Sequence, residues 1–98
     1  MMTNDANSPD EFKKLNESEQ QALIDWCYRI SKIKTINRNH SSYGLKHIFE
    51  NSKDGFYITN GAFKGAMLEC GFDYKPDSPS SPNWNFNVSE KTIKELKN

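Results

Sequence analysis

The chain has 98 residues with two Trp, four Tyr and six Phe, enough apolar area for one compact domain without structural disulfides. Its two Cys and two His form no zinc-type grouping. No apolar run approaches the roughly 20 residues of a membrane span, and the polar N-terminal segment does not have the pattern of a secretory signal. Net charge is zero, yet residues 26–49 hold five basic and no acidic side chains. These features predict a cytoplasmic protein without cofactor or metal.

The first helices are marked by their capping residues. Ser8 and Pro9 suit a helix start, because serine caps and proline fits the first helical position. That helix is short, and Asn16 or Ser18 begins the next one. Apolar residues then recur at helical spacing and predict a long helix over residues 19–32. Its inward-facing positions are Leu23, Trp26, Cys27 and Ile30.

A polar, basic stretch over residues 34–40 separates this helix from the next and is predicted to be a connector of extended character. Ser41 or Ser42 then caps a helix that runs to about residue 51. Gly44 lies inside it and lowers helix stability by about 1 kcal/mol relative to alanine.

A turn at residues 52–55 leads into a very short strand over 56–58. Thr59 or Asn60 caps a further helix, which ends before Gly71 because glycine is favoured after a helix C-terminus. Residues 73–82 are a loop by composition, with three of the four prolines.

Polar and apolar residues alternate over 83–88, which is typical of a strand, and residues 56–58 are its predicted partner. Ser89 caps a last helix. The fold class is therefore mainly α (α+β): a lead-in over 1–7 that is disordered, then a single domain over 8–98 with four to five helices and a two-stranded β-ribbon. The order helix, turn, helix, ribbon resembles a winged helix-turn-helix.

Catalysis has little support in the residues. His47 and Glu50 stand three apart on one helix face, the spacing of an acid–base pair but also of an ordinary solvent-facing contact. No phosphate-binding loop, nucleophile elbow or paired-carboxylate pattern is present. No catalytic residue is predicted, and the protein is interpreted as a non-enzyme.

The leading hypothesis is a module that binds nucleic acid or a nucleic-acid-processing complex, since the basic block lies beside the central helix pair. In this hypothesis, Asn60 and Lys64 point outward from the second helix of the helix-turn-helix, the one capped by Thr59 or Asn60. Residues of the basic block contact phosphate. A solvated basic face without a ligand is the plainer alternative, and exposed tyrosines would instead favour protein binding. The predicted binding residues for nucleic acid or a partner are Arg29, Lys32, Lys34, Arg38, His40, Tyr43, Lys46, His47, Asn60 and Lys64.

Two segments, SSYGLKH at 41–47 and YITNGAFKGAM at 57–67, carry a family resemblance together with the NWNFNVS strand. They resemble a family of small uncharacterised proteins of phages, plasmids and other bacterial mobile elements, over about residues 36–89. The resemblance implies a non-enzymatic protein that binds DNA or blocks host defence. The second hypothesis is accordingly a stoichiometric, anti-CRISPR-like inhibitor of a bacterial defence nuclease.

Overall fold

A computed structural model describes residues 5–97 of the chain. They form one 3-10 helix, four α-helices and a three-stranded antiparallel sheet, so the α+β class is confirmed. The elements are the 3-10 helix Pro9–Lys14, α1 Glu17–Tyr28, β1 Lys32–Ser41, α2 Ser42–Glu50, α3 Asn60–Glu69, β2 Tyr74–Pro76, β3 Trp84–Val88 and α4 Glu90–Lys97.

The predicted helix starts agree with the capping contacts. Asn16 accepts the Glu19 N–H while the Glu19 carboxylate accepts the Asn16 N–H, a reciprocal capping box at the start of α1. Ser41 caps α2 and Thr59 caps α3 without that reciprocal contact: their hydroxyls accept the N–H groups of Gly44 and Ala62. Gly71 has a φ of +82°, which only glycine adopts readily, and it follows the end of α3.

Helix α1 ends at Tyr28, before the predicted end at residue 32. The N–H groups of Arg29 and Ile30 bond back to the carbonyls three residues earlier, a tight last turn that closes the helix. Lys32 already belongs to β1.

The sheet has the order β1-β3-β2, which corrects the predicted two-stranded ribbon. Residues 56–58 are not a strand and do not pair with β3. The Ile58 N–H instead donates to the carboxylate of Glu50, so the backbone of this segment is satisfied by a side chain. The partners of β3 are the stretches that the sequence indicated as connector and loop, β1 and β2.

Strand β1 pairs irregularly with β3. Lys32 lies opposite Val88 and Asn37 opposite Phe86, so β1 uses more residues than β3 over the same length and bulges away. Asparagine amides on β3 bond to the displaced backbone: Asn87 donates to the Ile33 carbonyl and Asn85 to the His40 carbonyl. The polar face of β3 is therefore buried and hydrogen-bonded.

Helix α3 lies at the centre of the domain, with every residue from 60 to 67 buried. The 3-10 helix packs directly on it, because a Cβ at Gly65 would lie only 2.4 Å from the Pro9 carbonyl oxygen. The Gly61 N–H donates to the Ala6 carbonyl at 2.8 Å. Residues 1–4 of the predicted lead-in lie outside the described residues, whereas residues 5–7 contact α3.

Apolar side chains from the 3-10 helix, the four α-helices and β3 meet around α3 in one core. Its largest fully buried members are Phe49, Phe63, Phe86, Leu23, Leu45, Ile58, Met67 and Ile93.

Candidate nucleic-acid interface

An open groove of about 770 Å³ runs between β1, the end of α3 and β2. Its walls carry the cations Lys34, Arg38 and Lys75 and one carboxylate, Asp73. All four side chains belong to exposed residues. We call this surface, which also includes Thr35, Ile36, Leu68, Phe72 and Tyr74, the basic groove.

Arg38 is held in a fixed position in the groove. Its guanidinium donates to the Pro76 carbonyl at 3.1 Å and to the Asn85 side-chain oxygen at 2.9 Å, so it spans from β1 across β3 to β2. Both partners are neutral, so neither offsets the positive charge of the guanidinium. Arginine has five donors, which leaves others for a ligand.

Two aromatic residues, Phe72 and Tyr74, border the groove. Tyr74 stacks on Trp84 with ring centroids 3.8 Å apart and planes 18° from parallel, while Tyr74 stays 43% exposed. The Lys32 ammonium lies 4.5 Å from the centre of the Phe72 ring, a cation–π contact beside the groove. The groove therefore combines positive charge with one exposed aromatic side chain, Tyr74, whose ring is held in place by Trp84.

A second group of predicted binding residues lies on α2, apart from the basic groove. Tyr43 and His47 pack edge to face, and both side chains are about half exposed. Lys46 is buried below them; its ammonium lies 5.3 Å from the Tyr43 ring and 5.0 Å from the exposed Tyr57 ring. We call Tyr43, Lys46, His47 and Tyr57 the tyrosine patch.

Glu50 neutralises the charge of the tyrosine patch. Burial raises the pKa of its carboxyl, but hydrogen bonds from Lys46 and the Ile58 N–H, with the charges of Lys46 and His47, lower that pKa overall. Lys46 is 2.9 Å from one oxygen and His47 is 3.0 Å from the other. Since both oxygens are engaged, the Glu50 carboxylate serves to hold the patch together.

His40 faces another carboxylate. Its Nε2 lies 2.8 Å from the Glu90 carboxylate, which also accepts hydrogen bonds from the side chains of Asn37 and Asn39. These contacts, that of His40 first, lower the pKa of Glu90 to about 2. His40 thus joins β1 to α4, and a direct phosphate contact from it is not supported.

Asn60 and Lys64 are buried, so the prediction that they point outward from a recognition helix is wrong. Asn60 accepts from Ser42 and donates to the side chains of Asn7 and Asn83. The cause is that α3 forms the centre of the core, which leaves no face of its first two turns free.

Lys64 is bound through its ammonium to the loop before β3. Nζ donates to the Pro82 carbonyl at 2.7 Å and lies 4.4 Å from the centre of the Trp84 ring. Burial lowers the pKa of Lys64, although the charge of Asp5 acts in the opposite direction. This contact supports Trp84 from one side and thereby the stacked pair that borders the basic groove.

The structure therefore divides the predicted binding residues among separate places. Lys34 and Arg38 meet in the basic groove with Lys32 beside it, while Arg29 lines a different cavity. Lys75 is not among the predicted binding residues, because the composition of residues 73–82 predicts a loop, whereas Tyr74–Pro76 form β2. The sequence feature that could have indicated this strand is the pair Tyr74 and Lys75 immediately before Pro76. It places an aromatic residue and a cation on a short edge strand, where proline is tolerated.

Comparisons with family models, curated proteins and solved structures return no match. In residues 5–97, no group of three or more His, Cys, Asp or Glu side chains could hold a metal ion. None of the helices described is long and apolar enough to cross a membrane.

Proposed function

We propose that the protein is a non-enzymatic module that binds single-stranded nucleic acid through the basic groove. The observation that carries the proposal is the excess of cations, Lys34, Arg38 and Lys75 against Asp73, around an open surface that the exposed Tyr74 ring also borders. Proteins that bind single strands combine a positive groove along the backbone with aromatic rings on which bases stack.

Each part of the groove has a distinct role in this proposal. Lys34 and Lys75 contact phosphates as mobile point charges, since neither makes a salt bridge within residues 5–97. Arg38, fixed by Pro76 and Asn85, holds one phosphate in register. Tyr74 receives a base on the face opposite Trp84.

The proposal is tested by fluorescence anisotropy with a labelled 12-nucleotide single strand at about 50 mM salt. The double variant Lys34→Ala/Lys75→Ala is expected to bind about tenfold more weakly, because two phosphate contacts are lost. Tyr74→Ala removes base stacking of about 1–3 kcal/mol, which is about 5- to 150-fold in affinity.

Lys94→Ala is the matched control, because Lys94 is an exposed lysine on α4 that does not line the groove. It is expected to bind as the wild type does. Circular dichroism of each variant establishes that it is folded. Absence of binding by the wild type, or equal affinity of the control and the double variant, contradicts the proposal.

The second candidate is a stoichiometric inhibitor of a bacterial defence nuclease, and the tyrosine patch favours it. Tyr43 is 51% and Tyr57 76% exposed, and both rings lie over the buried ammonium of Lys46. Tyrosine is enriched at protein interfaces because it offers a large, rigid contact area with one polar end. Lys46 and Glu50 below them are already paired and need no partner charge.

This candidate predicts inhibition of a purified CRISPR effector nuclease at a one-to-one molar ratio. Tyr57→Ala is expected to relieve the inhibition, whereas Lys34→Ala/Lys75→Ala leaves it unchanged. Full nuclease activity in the presence of excess protein contradicts the candidate for that nuclease. The two candidates thus differ in which surface is sensitive to substitution.

A further inference from the structure

We propose that a cavity of about 340 Å³ between the ends of α1 and α2 and helix α4 binds a small oxyanion, a phosphate or carboxylate group. Its polar and charged walls come from Trp26, Arg29, Asn51, Ser52, Lys53 and Lys97. It shares no lining residue with the basic groove, so the two proposals are independent.

The first observation is a buried donor without a partner. Trp26 is 4% exposed, and its Nε1 is the one buried side-chain polar atom in residues 5–97 that makes no hydrogen bond. Edge-to-face contacts with Phe49 and Phe63 fix the indole but offer no acceptor. Native proteins pair nearly all such groups, so the unpaired indole N–H is a candidate donor for a ligand.

Open space borders the Trp26 side chain. Trp26 lines this cavity and also a neighbouring one of about 300 Å³, which is bordered by Asp25 and Asp54. Arg29, Ser52 and Lys53 line both cavities. Asp25 and Asp54 border only the neighbouring cavity and Lys97 only the first, so an anion is favoured in the first. A volume of 340 Å³ equals roughly ten water molecules, enough for phosphate or a small dicarboxylate with some of its solvent.

The second observation is uncompensated positive charge. Arg29, Lys53 and Lys97 line the cavity together with no acidic residue, and none of them is within 4.0 Å of a carboxylate of residues 5–97. The helix carbonyls nearby already have donors: Arg29 N–H bonds to the Trp26 carbonyl and the Ser52 hydroxyl to the Phe49 carbonyl. The cations are therefore available to a ligand.

These observations assign a role to each group. The Trp26 N–H and the Asn51 and Ser52 side chains supply directional hydrogen bonds, and Arg29 and Lys53 supply charge. Arginine suits both phosphate and carboxylate through its forked donors. The indole contact distinguishes this site from a diffuse positive surface, because it requires the oxyanion to enter the cavity.

The indole N–H allows a direct test by nuclear magnetic resonance. The chain has two tryptophans, Trp26 and Trp84, and a Trp84→Phe variant assigns their indole signals. The wild-type protein is titrated with inorganic phosphate or with succinate, against sodium chloride at equal ionic strength. A saturable downfield shift of the Trp26 indole proton is expected, while the Trp84 signal stays in place.

Arg29→Gln is expected to weaken the response at least tenfold, whereas Lys94→Gln, an exposed lysine outside the cavity, leaves it unchanged. A shift with phosphate alone assigns a phosphate site, and a shift with succinate alone a carboxylate site. The proposal is overturned if neither anion moves the Trp26 signal, if chloride moves it equally, or if Arg29→Gln responds like the wild type.

Discussion

The close contact between the 3-10 helix and α3 makes Gly65→Ala an informative substitution. A methyl group at Gly65 would lie 2.4 Å from the Pro9 carbonyl oxygen and 2.6 Å from the Phe12 Cβ. Neither atom is the flexible end of a side chain. The 3-10 helix must therefore move away from α3, or α3 must bend.

The expected loss of stability follows from what the movement exposes. Burial of Phe12 contributes about 2–3 kcal/mol, and the hydrogen bond from the Gly61 N–H to the Ala6 carbonyl about 1 kcal/mol. Alanine favours a helix by about 1 kcal/mol over glycine, which offsets part of the loss. Gly65→Ala is therefore expected to lower the free energy of unfolding by about 2 kcal/mol.

Urea denaturation followed by circular dichroism measures this change, and the midpoint should fall by about 1 M. Gly44→Ala is the matched control: its methyl group would meet only the Ser41 hydroxyl at 3.7 Å, so it should raise stability by up to about 1 kcal/mol. If both substitutions stabilise the protein alike, the described packing of the 3-10 helix is refuted.

Three further predictions concern other parts of the fold. Folding lowers the pKa of Glu90 from 4.5 to about 2, so the stabilising effect of the Glu90 carboxylate is present above pH 4.5 and is lost as pH falls toward 2. The wild type should therefore be more stable than Glu90→Gln near pH 6. The urea midpoints of the two proteins should converge as pH falls from 4.5 toward 2. Asn85→Ala removes a fully buried side chain that accepts from Arg38 and donates to the His40 carbonyl, and should lower the free energy of unfolding by about 2 kcal/mol; the exposed Asn39→Ala should lower it by less than about 0.5 kcal/mol, both measured by urea denaturation. Cys27 and Cys70 are buried free thiols and should react with a disulfide reagent only after unfolding in urea; rapid reaction of either in the native protein would contradict their burial.

The helices of this fold could be predicted from sequence because their signals are local. Capping residues such as Asn16 and Thr59, and a C-terminal glycine such as Gly71, act within one turn of the helix that they bound. Apolar spacing likewise identified the inner face of α1. These features need no information from distant parts of the chain.

The sheet could not be predicted because its pairing depends on distant residues. The stretch that forms β1 is polar and has no clean alternation, since it bulges and is held by the Asn85 and Asn87 side chains about fifty positions later. The alternation over 83–88 correctly indicated β3. It could not show that the polar face of that strand is covered as well.

The binding residues were predicted as one basic face because they are neighbours in sequence. Folding separates them: Arg29 follows α1, Lys34 and Arg38 lie on β1, and Lys46 lies on α2. Burial then removes Lys46 and Lys64 from contact with a ligand. Charge counted along a chain predicts a surface only where the residues lie on one element.

The salt dependence of binding tests the nucleic-acid proposal most directly. For single strands, the slope of log K against log salt changes by about 0.7 for each phosphate contact. The affinity of the wild type should therefore fall with added salt, and Lys34→Ala/Lys75→Ala should flatten the slope by about 1.4. Binding by the wild type that is independent of salt, or an identical slope for the double variant, would contradict recognition of phosphate in the basic groove.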